Sequence, residues 1–314
     1  MAKKVAVVGS RDYPDLELVR KFVRGLAEHD RDITVVSGNA RGVDRVAEKE
    51  ARKIGLSVVS LPADWDAHGP VAGFLRNGRI IEQCDALAAF WDGSSNGTED
   101  TVNKAVAAGK RISVWGPVGE KIRGLKGMAL HRLDSQLVKG CQKCELCRMR
   151  KSTVFGQGNP DARLVFIGEG PGHDEDESGL AFVGRAGKKL TALIEGMGLS
   201  RDDVFICNIV CCRPPGNRNP APDEVAACAP RLYKQIRAIA PEVVVALGAC
   251  AAKLLLRTDE GIGKLRGRFH EFLPRSNPIP LMPTYHPAYL LRNPADTKKV
   301  ADDLKLVADR LGIG

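Results

Sequence analysis

The sequence lacks the long apolar run that a membrane-spanning helix requires. None of its 314 residues lies in a stretch of about 18 consecutive apolar residues. Its first segment, MAKKVAVVGS, passes directly into a strand-like run without the apolar core and small-residue cleavage site of a signal peptide. From these two absences we expect a cytoplasmic protein with no membrane partner.

The composition indicates two folded domains and a polyanionic partner. A chain of 314 residues is too long for one ordinary domain, and a hydrophobic content of 44% is enough for real cores. The net charge of +9 favours binding to nucleic acid, because bound phosphates release counterions. Since cytosolic thiols stay reduced, the nine cysteines are expected as metal ligands or buried small residues rather than as disulfides.

The first half of the chain alternates strand-like and helix-like segments. KVAVVGS and DITVVSGNA are typical of buried strands, whereas LELVRKFVRGLAEH and GVDRVAEKEARKIG place apolar residues at helical spacing. This alternation predicts a Rossmann-like, three-layer α/β/α domain with a mainly parallel sheet. We place it at residues 1–120, followed by a linker at 121–127 and a second domain at 128–314.

Small polar residues follow three of the predicted strands. The ends of parallel strands share one edge, where small residues let a backbone approach a phosphate and helix N-termini attract it. None of the three segments is a strict G-x-G-x-x-G or Walker A sequence, and each alone can be interpreted as a tight turn. Together they favour a nucleotide-like site.

Three motifs in this half, GSRDY, SGNARGVD and WDGSSNGTED, resemble the SLOG superfamily, close to its YspA-type branch. The resemblance covers about residues 3–116 and implies a nucleotide or nucleotide-derived ligand, but no particular reaction. The residues that it assigns to the ligand site are Gly9, Ser10, Arg11, Gly38, Arg41, Gly97 and Thr98.

The second half repeats the alternation of strands and helices. ARLVFIGEG, DDVFICNIV, PEVVVALG and PLMPTYHP are predicted as strands, and segments such as AGKKLTALIEGMG and KKVADDLKLVADRL as amphipathic helices between or after them. This half is therefore expected to form a second three-layer α/β/α domain, with about four parallel strands.

Two pairs of cysteines in the second half suggest a soft metal centre. They are Cys144, Cys147, Cys212 and Cys228. Fifteen residues separate the second pair, which is unlike a zinc knuckle, so an iron–sulfur cluster is favoured over zinc or buried free thiols. Spacing alone leaves the ligands open, because Cys141 makes an equally valid pair with Cys144 and Cys211 could replace Cys212.

A nearly continuous set of motifs runs through residues 141–312. In order they are CELCR, FGQGNPDARLVFIGEGPG, FVGRAGKKL, NIVCCRPPGNRNPAPDE, LGACAAKLLL and HPAYLLRNP. They resemble the family 4 uracil-DNA glycosylases, the 4Fe-4S type. The resemblance implies that Cys144, Cys147, Cys212 and Cys228 hold the cluster, and it gives Cys141 and Cys211 no role. It also implies uracil-containing DNA, single- or double-stranded, as the substrate.

The same resemblance implies how a uracil would be recognised. An extruded pyrimidine needs an aromatic face, and Phe182 occupies the position where the family stacks uracil. Telling uracil from cytosine requires a group that donates to O4 and accepts from N3, as the side-chain amide of Asn208 can. A donor at O2 stabilises the departing base anion, and His286 matches that position.

The residue that orients the hydrolytic water is implied less directly. The best-known uracil glycosylases carry an aspartate in the first motif, where this chain has Gly170, so a backbone group is expected to contact the base there. Glu175 is the candidate for orienting the water, and Glu169 is its rival. The acidic run that contains Glu175 can also be interpreted as a solvated loop.

Two further segments are predicted to touch DNA. Leu291 and Arg292 follow His286 and resemble a wedge inserted where the base leaves the stack. Candidate phosphate contacts are Arg185, Lys188, Arg213 and Arg218. Ala181 departs from the family, which usually has proline there, and this puts strict uracil selectivity in doubt. No Lys/Arg/His-rich insert follows the Cys212 motif, so a variant that traps DNA covalently is not expected.

These patterns lead to three functional hypotheses. The favoured one is a DNA glycosylase that hydrolyses the N-glycosidic bond of deoxyuridine and leaves an abasic site, fused to a ligand-binding module of unknown role. A second keeps the enzyme but gives it another modified pyrimidine in a phage or defence context. A third is a non-catalytic sensor that binds DNA through one half and a nucleotide through the other.

Overall fold

A computed structural model describes residues 3–274 and 277–313 of the chain. The chain divides into two compact units, Met1–Met128 and Ala129–Gly314. Each unit is built on a six-stranded sheet. A search of the described residues found no helix with the length and apolar character needed to cross a membrane.

The first unit has a doubly wound sheet. Its strands are β1 Lys4–Gly9, β2 Thr34–Ser37, β3 Ser57–Ser60, β4 Ala86–Phe90, β5 Arg111–Trp115 and β6 Lys121–Ile122. Its helices are α1 Leu16–His29, α2 Val43–Lys53, α3 Trp65–His68, α4 Ala72–Glu82 and α5 Asn96–Ala107. The strand order is β3-β2-β1-β4-β5-β6, and every pair is parallel except β5 with β6.

Helix α1 illustrates how the sequence forms these elements. The Asp15 side chain caps its first turn by accepting a hydrogen bond of 2.9 Å from the backbone N–H of Leu18. Val19, Val23 and Ala27 then recur every four residues and are buried, so one face of the helix packs on the sheet.

The second unit has a mixed sheet with a parallel centre. Its strands are β7 Gln157–Gly158, β8 Leu164–Gly168, β9 Phe205–Asn208, β10 Val243–Leu247, β11 His270–Phe272 and β12 Ile279–Thr284. Its helices are α7 His173–Ser178, α8 Arg185–Glu195, α9 Pro222–Ile239, α10 Ala249–Leu256, α11 Ile262–Leu265, α12 Pro287–Arg292 and α13 Thr297–Leu311. The order is β11-β12-β10-β8-β9-β7. Each edge strand is antiparallel to its neighbour, β11 to β12 and β7 to β9.

The burial pattern confirms the predicted three-layer α/β/α class. Along β8, Leu164 and Phe166 belong to one buried apolar cluster, whereas Val165 and Ile167 belong to another. Because successive strand residues point to opposite faces, this alternation means that both faces of the sheet are covered.

The segment predicted as a linker, residues 121–127, has a different structure. It contains β6, which pairs with β5, and the start of helix α6, Gly124–Leu137. The division between the two units at Met128 therefore falls within a helix. Sequence patterns missed β6 because a strand of two residues at a sheet edge has no periodicity to detect.

The topology of the second sheet defines one edge where a site can form. Strand β8 lies between β9 and β10, and β12 follows β10, all four running in the same direction. Their carboxyl ends therefore meet at one edge, and Gly168 pairs in register with Asn208 there. Ligands of parallel α/β sheets bind at such an edge, where the strand order reverses.

Candidate active site

A cavity of about 630 Å³ opens at this carboxyl edge. Most of the residues that the sequence predicts for base, water and DNA contacts line it. They are Glu169, Gly170, Glu175, Phe182, Arg185, Asn208, Arg218, His286, Leu291 and Arg292. Lys188 and Arg213 are outside the lining, so the structure gives them no contact with this cavity.

The side-chain amide of Asn208 is buried at the end of β9. Only 2% of Asn208 is exposed, and its Oδ1 atom has no hydrogen-bond partner among the described residues. A buried oxygen without a partner costs free energy unless a ligand satisfies it. The amide therefore offers the cavity a donor and an acceptor side by side.

Phe182 forms one wall of the cavity in an uncommon backbone conformation. Its φ of 52° lies in the left-handed region, which aromatic residues seldom adopt. The Arg201 guanidinium fixes this turn by donating hydrogen bonds to the carbonyl oxygens of Ala181, at 2.8 Å, and Phe182, at 3.2 Å. The Phe182 ring lies 5.7 Å from the His286 ring, centroid to centroid. The Arg201 side chain thus holds this turn, although Ala181 stands where the resembled family usually has a proline.

Gly168, the last residue of β8, leaves room for these groups to converge. A Cβ atom at this position would overlap both the amide oxygen of Asn208 and the ring of Phe182. The missing side chain is therefore what allows the amide and the ring to approach the same point.

His286 caps helix α12 and presents a defined tautomer. Its Nδ1 atom accepts a hydrogen bond of 3.1 Å from the backbone N–H of Ala288. The proton of the neutral imidazole must then reside on Nε2. Burial, aided by the charge of Arg292, lowers the pKa of His286 from 6.5 to about 4. The ring is therefore a neutral hydrogen-bond donor near pH 7.

Two glutamates line the cavity in different ways. The Glu175 carboxylate accepts hydrogen bonds from the backbone N–H groups of Gly172, at 3.1 Å, and of Val183 and Gly184, both at 2.9 Å. These use three of the roughly four acceptor positions of a carboxylate, so Glu175 ties two loops together. Glu169 is half-buried, and burial raises its pKa above the usual value of 4.5.

The rim of the cavity carries exposed apolar and cationic groups. Leu291 is 44% exposed at the end of α12, and Arg292 beside it is also exposed. Arg218 is already paired, because its guanidinium makes two bonds of 2.8 Å and 2.6 Å to the Glu224 carboxylate. Arg213 bonds to a neighbouring asparagine side chain at 2.8 Å. Leu291 and Arg292 are thus the better placed to meet a partner.

Six cysteines of the second unit line a separate cavity of about 60 Å³. They are Cys141, Cys144, Cys147, Cys211, Cys212 and Cys228. The four predicted ligands therefore come together from distant parts of the chain, and the two cysteines without a predicted role lie beside them.

Two arginines direct positive charge at these sulfur atoms. Arg150 donates to Cys212 Sγ at 3.1 Å, and Arg231 donates to Cys228 Sγ at 3.7 Å. A hydrogen bond from the Cys211 thiol, together with the charge of Arg231, lowers the pKa of Cys228 below its usual value. Burial raises the pKa of Cys212 to about 11, although Arg150 opposes this. The two guanidinium groups thus favour negative charge on Cys212 and Cys228, whereas burial opposes it at Cys212.

The cysteine geometry does not match a site for a single metal ion. Among residues 3–274 and 277–313, no three His, Cys, Asp or Glu side chains are grouped closely enough to hold one. A 4Fe-4S cluster takes one thiolate on each iron, so its ligand sulfurs stand apart around a larger body. Thiolates are ligands of both iron–sulfur clusters and zinc, so the donor chemistry of the cavity fits a soft metal centre.

Comparisons with known proteins found a family match within each unit. The Uracil DNA glycosylase superfamily model matches residues 155–308, and the model for the "YspA, cpYpsA-related SLOG family" matches residues 3–68. The "Type-4 uracil-DNA glycosylase" of Saccharolobus solfataricus is 47% identical over 179 residues, covering 55% of this chain and 83% of that protein. The chain belongs to the type-4 uracil-DNA glycosylase family.

Two other type-4 glycosylases support this membership. The protein of Thermotoga maritima is 48% identical over 165 residues, which cover 52% of this chain and 84% of that protein. The protein of Archaeoglobus fulgidus is 38% identical over 179 residues, covering 56% of this chain and 90% of that protein. The predicted resemblance of each half to its family is confirmed, and this chain is an enzyme of the type-4 glycosylase family with a SLOG-related first unit.

The SLOG-related unit of this type-4 glycosylase has its own cavity, of about 410 Å³. Four of the predicted ligand residues line it, namely Gly9, Arg11, Gly97 and Thr98. The other three do not line it. The Ser10 hydroxyl is buried and accepts a bond of 3.0 Å from the backbone of Asp92, and Arg41 pairs with Asp12 at the surface, at 3.1 Å. The carbonyl of Gly38 accepts a bond of 2.7 Å from the Arg76 guanidinium.

Other residues of this cavity escaped the sequence analysis. Trp65 and Phe74 line it with 52% and 47% of their surfaces exposed, and Arg76 reaches from α4 to the carbonyl of Gly38 after β2. Asp44 is buried beneath it, and burial raises its pKa to about 6. Helices α3 and α4 carry the two aromatic residues, and their short, weakly periodic segments gave no clear helix signal. Because aromatic residues make up only 5% of the sequence, each one is conspicuous, and this could have drawn attention to Trp65 and Phe74.

Proposed function

We propose that this chain hydrolyses the N-glycosidic bond of deoxyuridine in DNA and leaves an abasic site. The observation that carries the proposal is the convergence of the Asn208 amide, the Phe182 ring and the neutral His286 imidazole on one cavity. Each group matches one requirement of uracil recognition or departure, and family membership supports the same reaction.

Recognition of the base follows from the two groups that meet over Gly168. Uracil extruded from the stack would lie against the Phe182 ring. The buried amide of Asn208 would then accept from N3–H through Oδ1 and donate to O4. Cytosine presents the opposite polarity at both positions, so an amide in the orientation seen here would leave its oxygen unsatisfied, which is costly in a buried site. Gly170, on the loop that follows β8, would contribute backbone contacts to the base.

Departure of the base would be assisted by His286. As the glycosidic bond lengthens, negative charge develops on the uracil oxygens and positive charge on the sugar. A neutral imidazole with its proton on Nε2 can donate to O2 without giving the proton away. The Ala288 N–H keeps the donor pre-oriented, so little reorganisation is required when the charge appears.

Two glutamates are candidates for the group that activates the water. The Glu175 carboxylate is largely occupied by backbone donors, so we assign it the positioning of the loops that carry Gly172 and Phe182. Glu169 is half-buried in the same cavity with a raised pKa, which suits a general base or water-orienting group. This reverses the order of preference drawn from the sequence.

The cysteine cavity is proposed to hold a 4Fe-4S cluster through Cys144, Cys147, Cys212 and Cys228. When bound, the cluster supplies structural cross-linking of distant segments rather than a reacting group. The side chains proposed for chemistry belong to the other cavity. A cytoplasmic location, where thiols remain reduced, is part of the proposal.

The reaction is tested with an oligonucleotide that contains one deoxyuridine. After incubation with the intact iron-loaded protein, hot alkali should cleave the strand at that position, because an abasic site is alkali-labile. A matched thymidine oligonucleotide should remain intact. If the deoxyuridine strand also resists cleavage while the protein retains its iron, the proposed substrate is wrong.

For the SLOG-related unit we propose a nucleotide-like ligand. The cavity lies at the carboxyl edge of a parallel sheet, at the start of helix α5, and two exposed aromatic side chains border it. Aromatic faces stack on bases, and helix N-termini attract phosphates. Of the three tryptophans, Trp65 is exposed in the cavity lining, Trp91 is fully buried, and Trp115 stacks on Phe90 outside the lining. Titration with nucleotides should therefore quench the fluorescence of the wild type more strongly than that of a Trp65→Phe variant. Equal quenching in both would exclude this cavity.

A further inference from the structure

Arg231 lies between the cysteine cavity and the base cavity. It is on helix α9, three residues after Cys228, and only 5% of it is exposed. Its Nη2 atom donates to the backbone carbonyls of Asn208, at 2.9 Å, and Ile209, at 2.8 Å. The same nitrogen lies 3.7 Å from Cys228 Sγ. One buried cation thus contacts a proposed cluster ligand and the residue that faces the base.

The partners of Arg231 indicate what balances its charge. Its Nη1 atom donates to the Gln235 side chain at 2.8 Å, and the Gln235 amide in turn donates to the carbonyl of Phe155 at 3.0 Å. Among the described groups that Arg231 hydrogen-bonds, the Cys228 sulfur is the one that can carry a negative charge, and Cys211 and Asp134 also interact with the guanidinium electrostatically. A buried guanidinium without a nearby negative charge is costly, so the sulfur-rich centre stabilises Arg231 in this position.

The end of β9 depends on this arrangement. The Asn208 side chain makes no hydrogen bond to the described protein through Oδ1, so its position follows from its backbone. Two hydrogen bonds from a cation hold the carbonyls of Asn208 and the next residue. Charge-assisted bonds are shorter and stronger than neutral ones.

We propose that Arg231 is a positioning residue that couples the cysteine-bound centre to base recognition. The thiolates hold the guanidinium, the guanidinium holds the end of β9, and the end of β9 aims the Asn208 amide into the base cavity. Loss of the centre would remove the negative charge that is in contact with Arg231 and loosen its hold on the strand end. The inference rests on the proposed function, because it takes uracil as the base that Asn208 reads.

The test uses the full-length iron-loaded protein and two variants. Arg231→Lys keeps a buried positive charge near Cys228, but an ammonium cannot span both carbonyls and Gln235 as a guanidinium does. Arg231→Met removes the charge with little change in length. For each protein we would measure the iron content per chain, the affinity for free uracil by calorimetry, and the KM and kcat of uracil release.

If Arg231 positions the end of β9, the Arg231→Lys variant should lose uracil affinity without losing iron. Arg231→Lys should retain its iron but bind free uracil about tenfold more weakly, with a raised KM. Arg231→Met should lose both iron and uracil affinity. Should Arg231→Met fail to fold, Arg231→Lys still decides the question.

Two outcomes would overturn the inference. One is an Arg231→Lys variant that binds uracil within twofold of the wild type. The other is a fall in activity that merely parallels iron loss, with unchanged uracil affinity in the remaining loaded protein. Failure of the wild type itself to bind or release uracil would instead contradict the proposed function, so the two failures can be told apart.

Discussion

The Nδ1 atom of His286 accepts a hydrogen bond of 3.1 Å from the backbone N–H of Ala288. This contact fixes the proton of the neutral ring on Nε2, and burial keeps the ring neutral by lowering its pKa to about 4. We therefore predict that the pH profile of kcat/KM has no inflection near pH 6.5 that belongs to His286. Comparison of the wild type with His286→Gln across pH 5 to 8 checks this. An inflection near 6.5 that the variant lacks would contradict a neutral donor.

The same pKa shift makes a prediction about stability. A histidine with a folded pKa of about 4, below its ordinary value of 6.5, stabilises the fold fully above pH 6.5. That contribution should decline as the pH falls from about 6.5 to about 4, because the unfolded chain takes up the proton first. Urea denaturation of the wild type and of His286→Gln over this range measures it. Parallel pH dependences in the two proteins would show that His286 does not titrate in this way.

Gly168→Ala is expected to damage the base cavity directly. The added methyl group would overlap the Asn208 amide and the Phe182 ring, so one or both must move. A displacement of about 1 Å in an active site can cost roughly 100-fold in rate, and we expect a loss of that order in kcat/KM. Gly263→Ala is the matched control, since a Cβ there meets nothing within 4 Å. Nearly full activity in Gly168→Ala would show that the two groups need not converge.

The two glutamates should respond differently to amide substitution. Glu175→Gln replaces an acceptor oxygen by an NH₂ group that faces a backbone donor, which should cost about 1–3 kcal/mol in the free energy of unfolding. Glu169→Gln should leave stability nearly unchanged and lower kcat, because it removes the proposed base. Thermal denaturation and single-turnover kinetics of both variants separate the roles. A stable but inactive Glu175→Gln beside an active Glu169→Gln would restore Glu175 as the catalytic group.

Cysteine substitutions test which thiols hold the cluster. Serine at Cys144, Cys147, Cys212 or Cys228 should sharply reduce the iron content and the visible absorption of the purified protein. Cys250→Ser is the control, since Cys250 is outside the cysteine cavity. Cys141→Ser and Cys211→Ser should retain iron. A colourless protein that contains zinc after anaerobic, iron-replete expression would contradict the cluster.

Much of this architecture could be predicted because the signals are local. The strand that became β8 is a short apolar run ended by glycine, and its alternating burial follows from the two-residue period. Helix α1 begins and ends where its sequence pattern predicts. Phe182, Asn208 and His286 were found through motifs rather than through periodicity.

Residues that act through distant contacts gave no such signal. Arg231 occupies an ordinary position in an amphipathic helix, and only the fold shows that it reaches the end of β9. Arg218 was expected at a phosphate, but the sequence could not show that Glu224 already holds it. Arg41 likewise follows a loop of the right composition, yet its side chain points to Asp12 at the surface.

The most direct test of the account is the identity of the base that the protein releases. The intact, iron-loaded protein would be incubated with duplexes that carry one deoxyuridine, one thymidine or one 5-substituted pyrimidine, and free bases would be identified by mass spectrometry. The account predicts free uracil from the first duplex and no base from thymidine. Release of a modified pyrimidine without uracil, or DNA binding without release of any base, would contradict it.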